Sequence, residues 1–154
     1  MTLLQLIKRI EVVASSQPSI NMIVQSDIFR INQASDARYG VFAWVQRQHS
    51  ARVGETMRDY SFSLIYADRL KNDLSNQIEI QSVGIDTLEN ILRKLEDFGI
   101  YSEEAVTFQV FNQRFLDECA GVFCNVTFSV PGGSLCPEAF GDFNDDFNDD
   151  FLIL

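Results

Sequence analysis

Residues 39–66, YGVFAWVQRQHSARVGETMRDYSFSLIY, decide the fold of this chain. The segments 39–49 and 60–66 are rich in aromatic and β-branched residues, which favour strands. The polar residues 50–59 separate them and contain Gly54, as expected of the connection in a long antiparallel hairpin. In the second segment apolar residues alternate with serine, so one face of the hairpin should be buried and the other wetter.

Two helices are predicted around this hairpin. Residues 3–14 place apolar side chains at helical spacing, and Thr2 is positioned to cap the first turn. Residues 75–98 show the same period over a longer stretch and form the main predicted helix. Gly84 weakens this second pattern, so residues 78–83 could instead form a short strand that leads into a shorter helix.

Three more segments predict strands. Residues 20–31 read as extended chain, and residues 106–111 and 120–130 form a second hairpin that ends at a proline and two glycines. The predicted class is α+β, with a mainly antiparallel sheet of two hairpins plus a further strand, covered by two helices. Residues 1–133 would form this domain, and residues 134–154 an extended, acidic and aromatic C-terminal arm.

The composition narrows the function classes. Apolar residues make up 46% of the 154-residue chain, which is typical of one packed domain. No apolar run is long enough to cross a membrane, and the order of charges near the N-terminus does not fit a secretory signal, so we expect synthesis in the cytosol and no membrane partner. The net charge is −10, and all twelve basic residues lie at or before Arg114. Tight nucleic-acid binding is therefore not expected.

The residue types that usually carry chemistry are few and scattered. His49 is the only histidine, and the three cysteines, Cys119, Cys124 and Cys136, have no metal-ligand spacing. We interpret His49 as a surface or loop residue and the cysteines as reduced thiols. No catalytic, cofactor-binding or metal site is predicted, and the chain is not expected to be an enzyme.

The C-terminal sequence GDFNDDFNDDFLIL repeats the unit Phe-Asn-Asp-Asp. Phe143, Phe147 and Phe151 are four residues apart and would share one face of a helix, beside the acidic residues Asp145, Asp146, Asp149 and Asp150. Composition alone would also allow a solvated acidic tail. Three phenylalanines and the final Phe-Leu-Ile-Leu are too apolar for that role, so we predict an assembly arm that docks on protein.

A second candidate contact surface is the polar end of the first hairpin. Arg47, Arg52 and Arg58 surround His49 in a stretch with few acidic residues. A loop without a partner would have the same composition. A basic loop and an acidic arm on one chain are, however, what a head-to-tail contact in a ring could use.

Four segments resemble a family of small structural proteins of crAss-like tailed bacteriophages. They are VFAWVQRQHS, IEIQSVGIDTLENILRKL, FNQRFLDECAGVFCNVTFSVP and GDFNDDFNDDF, which together cover most of the chain. The order of helices and hairpins is also similar to the tail-terminator and head-to-tail connector fold of tailed phages.

The resemblance implies a virion component of the phage tail or head-to-tail connector, assembled in the host cytoplasm. Its partners would be copies of itself in a cyclic homo-oligomer, a dodecamer or hexamer, and the portal or other connector and tail proteins. DNA would be only a non-specific cargo of the central channel, repelled by an acidic lining. The alternative is a small acidic adaptor, or DNA mimic, that binds a basic host protein. A high-order ring would favour the first hypothesis, and a monomer or dimer the second.

Overall fold

The computed structural model describes residues 1–25, 39–51, 56–102, 104–114 and 118–132. The chain is α+β, as predicted. Its elements in chain order are α1 (Leu3–Ser15), β1 (Met22–Val24), β2 (Val41–Ala51), β3 (Met57–Arg69), α2 (Gln77–Asp97), β4 (Tyr101–Ser102), β5 (Phe108–Arg114) and β6 (Glu118–Pro131).

The six strands form one mixed sheet. Its path runs β1-β2-β3-β6, and both β4 and β5 pair with the remaining edge of β6 at different positions. Every pair is antiparallel except β1 with β2, which is parallel. Both predicted hairpins are therefore present. The strand expected at residues 20–31 is confirmed only as the three-residue β1, and residues 26–31 lie outside the described ranges.

Both helices pack on one face of the sheet, which we call the helix face. Phe62, Leu64 and Tyr66 of β3 point to this face, together with alternate residues of β6, and all of them are buried in the main hydrophobic core. Alternation of side chains along each strand produces this arrangement. A polar contact also joins α1 to the sheet, because the indole N–H of Trp44 donates to Glu11 Oε1 at 3.1 Å.

Local sequence accounts for where α1 begins. The Thr2 side chain accepts a hydrogen bond from the Gln5 N–H, and the Gln5 side chain accepts one from the Thr2 N–H, forming a capping box. The predicted cap is confirmed. Reciprocal bonding satisfies donors that the first helical turn would otherwise leave without partners.

The main helix is continuous from Gln77 to Asp97, which excludes the alternative strand at residues 78–83. Gly84 is buried where α2 lies against the sheet. A Cβ atom there would lie 2.9 Å from Tyr66 Cδ1 and 3.0 Å from Val122 Cγ2. The glycine that weakened the helical pattern is thus the residue that lets helix and sheet approach closely.

The other face of the sheet, which we call the second face, carries no helix among the described residues. One end of this face is apolar, with a small buried cluster of Val41, Ala43 and Ile65. Partly buried apolar residues pack against that cluster: Met22, Val24, Val45, Phe111 and Phe123. Towards the end of the first hairpin the same face becomes polar, and there the candidate site lies.

Candidate interaction surface

Three cross-strand pairs of polar side chains line the second face of β3 and β6. We call this set the polar ladder, and its pairs are Asp59 with Ser129, Ser61 with Thr127 and Ser63 with Asn125. Each pair is joined by a side-chain hydrogen bond. The two hydroxyl oxygens of the middle pair are 2.8 Å apart, and Ser63 Oγ donates to Asn125 Oδ1 at 2.6 Å.

Arg47 extends the polar ladder onto β2. Its guanidinium donates from Nη1 to Ser63 Oγ at 3.0 Å and to Asn125 Oδ1 at 2.9 Å. Both acceptors are neutral, and among the described residues Arg47 pairs with no carboxylate. The exposed cation is therefore held in one orientation while its charge stays available to an anionic group from outside.

A bulge in β2 separates Arg47 from His49. The register against β3 shifts between Gln46 and His49, which places one extra residue on β2. Arg47 consequently contacts the second face, whereas the His49 ring lies on the helix face. There it is 5.2 Å from the Tyr60 ring and 6.0 Å from the Phe62 ring, measured between ring centroids.

The described residues of the predicted loop surface lie in strands instead. His49 lies within β2, which extends to Ala51, rather than in the loop, and it does not share a face with Arg47. Arg58 belongs to β3 and lies beside Gly132, where a Cβ atom would be 3.1 Å from Arg58 Nε. Arg52 lies outside the described residues.

The predicted assembly arm falls wholly outside the described residues. This holds for Phe143, Asp145, Asp146, Phe147, Asp149, Asp150 and Phe151. The end of β6 lies beside the first turn of α1, because the Met1 amino group donates to the Pro131 carbonyl oxygen at 2.6 Å.

The outward side of α1 carries a groove of about 550 Å³ that the sequence analysis did not predict. Its described lining residues are Met1, Gln5, Lys8, Arg9 and Val12, and we call it the α1 groove. Val12 in the lining is 63% exposed, and Leu4, which lies near the α1 groove but outside its lining, is 60% exposed. The signal in the sequence is that these two apolar residues, each four positions from Lys8, lie away from the buried face of the helix.

Two buried ionisable side chains of the described core have raised pKa values. Burial, followed by the nearby charge of Asp68, raises the pKa of Tyr66 to about 12. Burial also raises the pKa of the Cys124 thiol to about 12, which keeps it protonated and unreactive. Across the described ranges, no three His, Cys, Asp or Glu side chains are grouped closely enough to hold a metal ion.

Part of this surface is visible in the sequence. Arg47 is a predicted contact residue and Ser61 and Ser63 are predicted on the wetter face, but their contacts with Asn125 and Thr127 are not predicted. The detectable signal was the alternation of polar with apolar residues in β6, opposite the same alternation in β3. Which residues pair across two strands depends on their register, and that signal is absent from either strand alone.

Comparison with known proteins identifies no family for this chain. Neither a model of a known protein family nor a curated protein matches this sequence. None of the described helices is long and apolar enough to span a membrane.

Proposed function

We propose that this protein is a structural subunit that assembles into a ring in the head-to-tail connector or tail of a crAss-like bacteriophage, stacked between portal and tail proteins. The observation that carries the proposal is the polar ladder with Arg47 at its side. Side chains that are hydrogen-bonded to each other on a partly exposed sheet face are already ordered, so a partner would lose little entropy in binding them.

A ring requires two different, complementary surfaces on each subunit. Arg47 supplies a fixed positive charge whose described partners are both neutral. The aspartates of the arm, Asp145, Asp146, Asp149 and Asp150, supply the opposite charge on the same chain. In the proposed contact, the acidic arm of one subunit meets the Arg47 end of the next, which gives a head-to-tail geometry.

The charge balance supports a DNA channel rather than a DNA-binding site. Residues after Arg114 contain eight acidic residues and no basic residue. In the proposed ring, an acidic lining repels the phosphates and leaves DNA free to slide through. DNA is then a cargo of the assembly and contributes nothing to its affinity. The proposed role is assembly, with no catalytic step.

Removal of residues 142–154 tests the role of the arm. The mass of the full-length chain and of the truncated chain would be measured in solution by analytical ultracentrifugation, with negative-stain images of large species. We expect rings from the full-length chain and smaller species from the truncated one, with unchanged thermal unfolding. Equal ring formation by both chains would contradict the role of the arm, and loss of folding would show that residues 142–154 complete the domain.

The concentration of acidic residues in the arm also favours a second function. A DNA mimic would present regularly spaced carboxylates to a basic host protein and would work as a monomer or dimer. The same sedimentation measurement separates the two functions. A full-length chain that stays monomeric at high concentration and binds a basic DNA-binding protein through residues 142–154 would favour the mimic.

A further inference from the structure

We infer that the α1 groove is the docking site of residues 141–154, the last part of the chain's own C-terminal arm. The inference concerns the single subunit and holds whether or not the proposed ring forms. It starts from an exposed helix surface. Val12 in the lining is 63% exposed, and Lys8 and Arg9 give the lining a positive charge, with the Arg9 guanidinium 4.7 Å from the centroid of the Phe98 ring.

The position of the chain end favours the arm of the same chain. Pro131 accepts a hydrogen bond from the Met1 amino group, so the polypeptide leaves the sheet at one end of the α1 groove. Ten residues lie between Gly132 and Phe143, and the extended segment from one to the other spans up to about 38 Å. The α1 groove between Met1 and Val12 is about 16 Å long at the rise of a helix. The arm reaches it easily, and so short a tether gives a high effective concentration.

The chemistry of the arm complements that of the α1 groove. Docked as a helix, the arm would present Phe143, Phe147 and Phe151 as one stripe, with the four-residue spacing that also separates Lys8 from Val12 in the lining of the α1 groove. Asp146 and Asp150 would flank that stripe and face Lys8 and Arg9. Asp145 and Asp149 would point away from α1.

Docking of the arm would leave an acidic surface exposed. With its phenylalanines against α1, the docked arm would still present Asp145 and Asp149 to solvent. A neighbouring protein would then meet an ordered acidic ridge instead of a solvated tail. Docking against α1 also supplies the partner that a segment rich in Asn and Asp needs in order to form a helix.

Zero-length cross-linking tests the docking directly. A carbodiimide joins the Lys8 amine to an aspartate carboxylate as an amide, with the water that is lost taken up by the carbodiimide to form a urea. We expect cross-links from Lys8 to Asp146 or Asp150, identified by mass spectrometry of the full chain. In a mixture of ¹⁴N and ¹⁵N chains, each cross-linked peptide pair should carry a single isotope, because both partners belong to one molecule.

Matched variants separate docking from chance proximity. Val12→Asn removes an apolar side chain from the lining of the α1 groove without adding a carboxylate that could react with Lys8. It should reduce the cross-link yield at Lys8 by about tenfold or more, which corresponds to about 1.4 kcal/mol of docking free energy. Ile78→Asn alters an apolar residue of α2 that is 73% exposed and should leave the yield unchanged. Mixed-isotope pairs would overturn the inference in favour of a neighbour's arm. Absence of cross-links at Lys8, or equal yields in all variants, would overturn docking altogether. Ring formation enters none of these readouts.

Discussion

The two faces of the same pair of strands differ in what their side chains contact. On the helix face, β3 and β6 contribute Phe62, Leu64 and Phe128, which are at most 1% exposed. On the second face the intervening residues include Ser61, Thr127 and others of the polar ladder, which bond to each other across the strands. One face is covered by α1 and α2, and the other carries no helix in the part of the chain that the structure describes.

The difference indicates that one face of the sheet provides stability and the other provides an interaction surface. Burial of large apolar side chains is the main source of folding free energy, and it is concentrated on the helix face. Hydrogen bonds between partly exposed polar groups add little net stability, but they fix the direction of each group. The helix face therefore holds the domain together, and the second face presents an ordered surface to a partner.

Phe62→Ala should disrupt packing on the helix face and should cause the largest loss of stability. The Phe62 ring is fully buried, and its centroid is 6.2 Å from those of both Trp44 and Phe128. Loss of the ring leaves a cavity, so we expect the free energy of unfolding to fall by about 3–5 kcal/mol. Ser61→Ala, the neighbour on the second face, is the control and should cost about 1 kcal/mol. Equal losses in urea unfolding would contradict the division between the faces.

Gly84→Ala should crowd the contact between α2 and the helix face of the sheet. An alanine Cβ would press on the buried ring of Tyr66 and on Val122. The added crowding costs about 1–3 kcal/mol, which outweighs the gain of about 1 kcal/mol in helix propensity. Thermal unfolding measures the net loss. Ser82→Ala, at an exposed position of α2, should instead stabilise the protein slightly, and a stabilised Gly84→Ala variant would show that α2 does not approach the sheet closely.

Alkaline pH should weaken the helix face through Cys124. The folded state raises the pKa of this thiol from 9.0 to about 12, chiefly by burial. Between these values the unfolded chain loses a proton that the folded chain retains, so the stability present below pH 9 is lost as the pH rises towards 12. The contribution to the slope is about 1.4 kcal/mol per pH unit. Urea unfolding of Cys124→Ala across this range should show a shallower slope, and an identical slope would refute the role of the thiol.

Thr127→Val should disturb the second face with the smallest effect on stability. The change keeps the shape of the side chain but removes the hydrogen bond to Ser61. We expect a loss of about 0.5–1.5 kcal/mol in the free energy of unfolding. Val126→Ala, at the adjacent buried position, should cost more. A larger loss for Thr127→Val than for Val126→Ala would reverse the assignment of the two faces.

The sequence predicted the fold better than the surface. Periodicity identified both helices and both hairpins because each depends on neighbouring residues of the chain. It did not give the parallel pairing of β1 with β2, or the bulge that separates Arg47 from His49. Those features depend on how distant strands align, which local patterns do not encode. Gly84 shows the same limit, because the need for a glycine there arises from the close approach of α2 to Tyr66.

The mass of an Arg47→Glu variant tests the central claim most directly. Arg93→Glu is the matched control, because Arg93 is exposed on α2 and pairs only with Glu89 among the described residues. We predict rings from the wild-type protein and from Arg93→Glu, and dissociated subunits with an unchanged unfolding temperature from Arg47→Glu. Rings of equal mass and stability from all three proteins would contradict the assignment of the second face as the assembly surface.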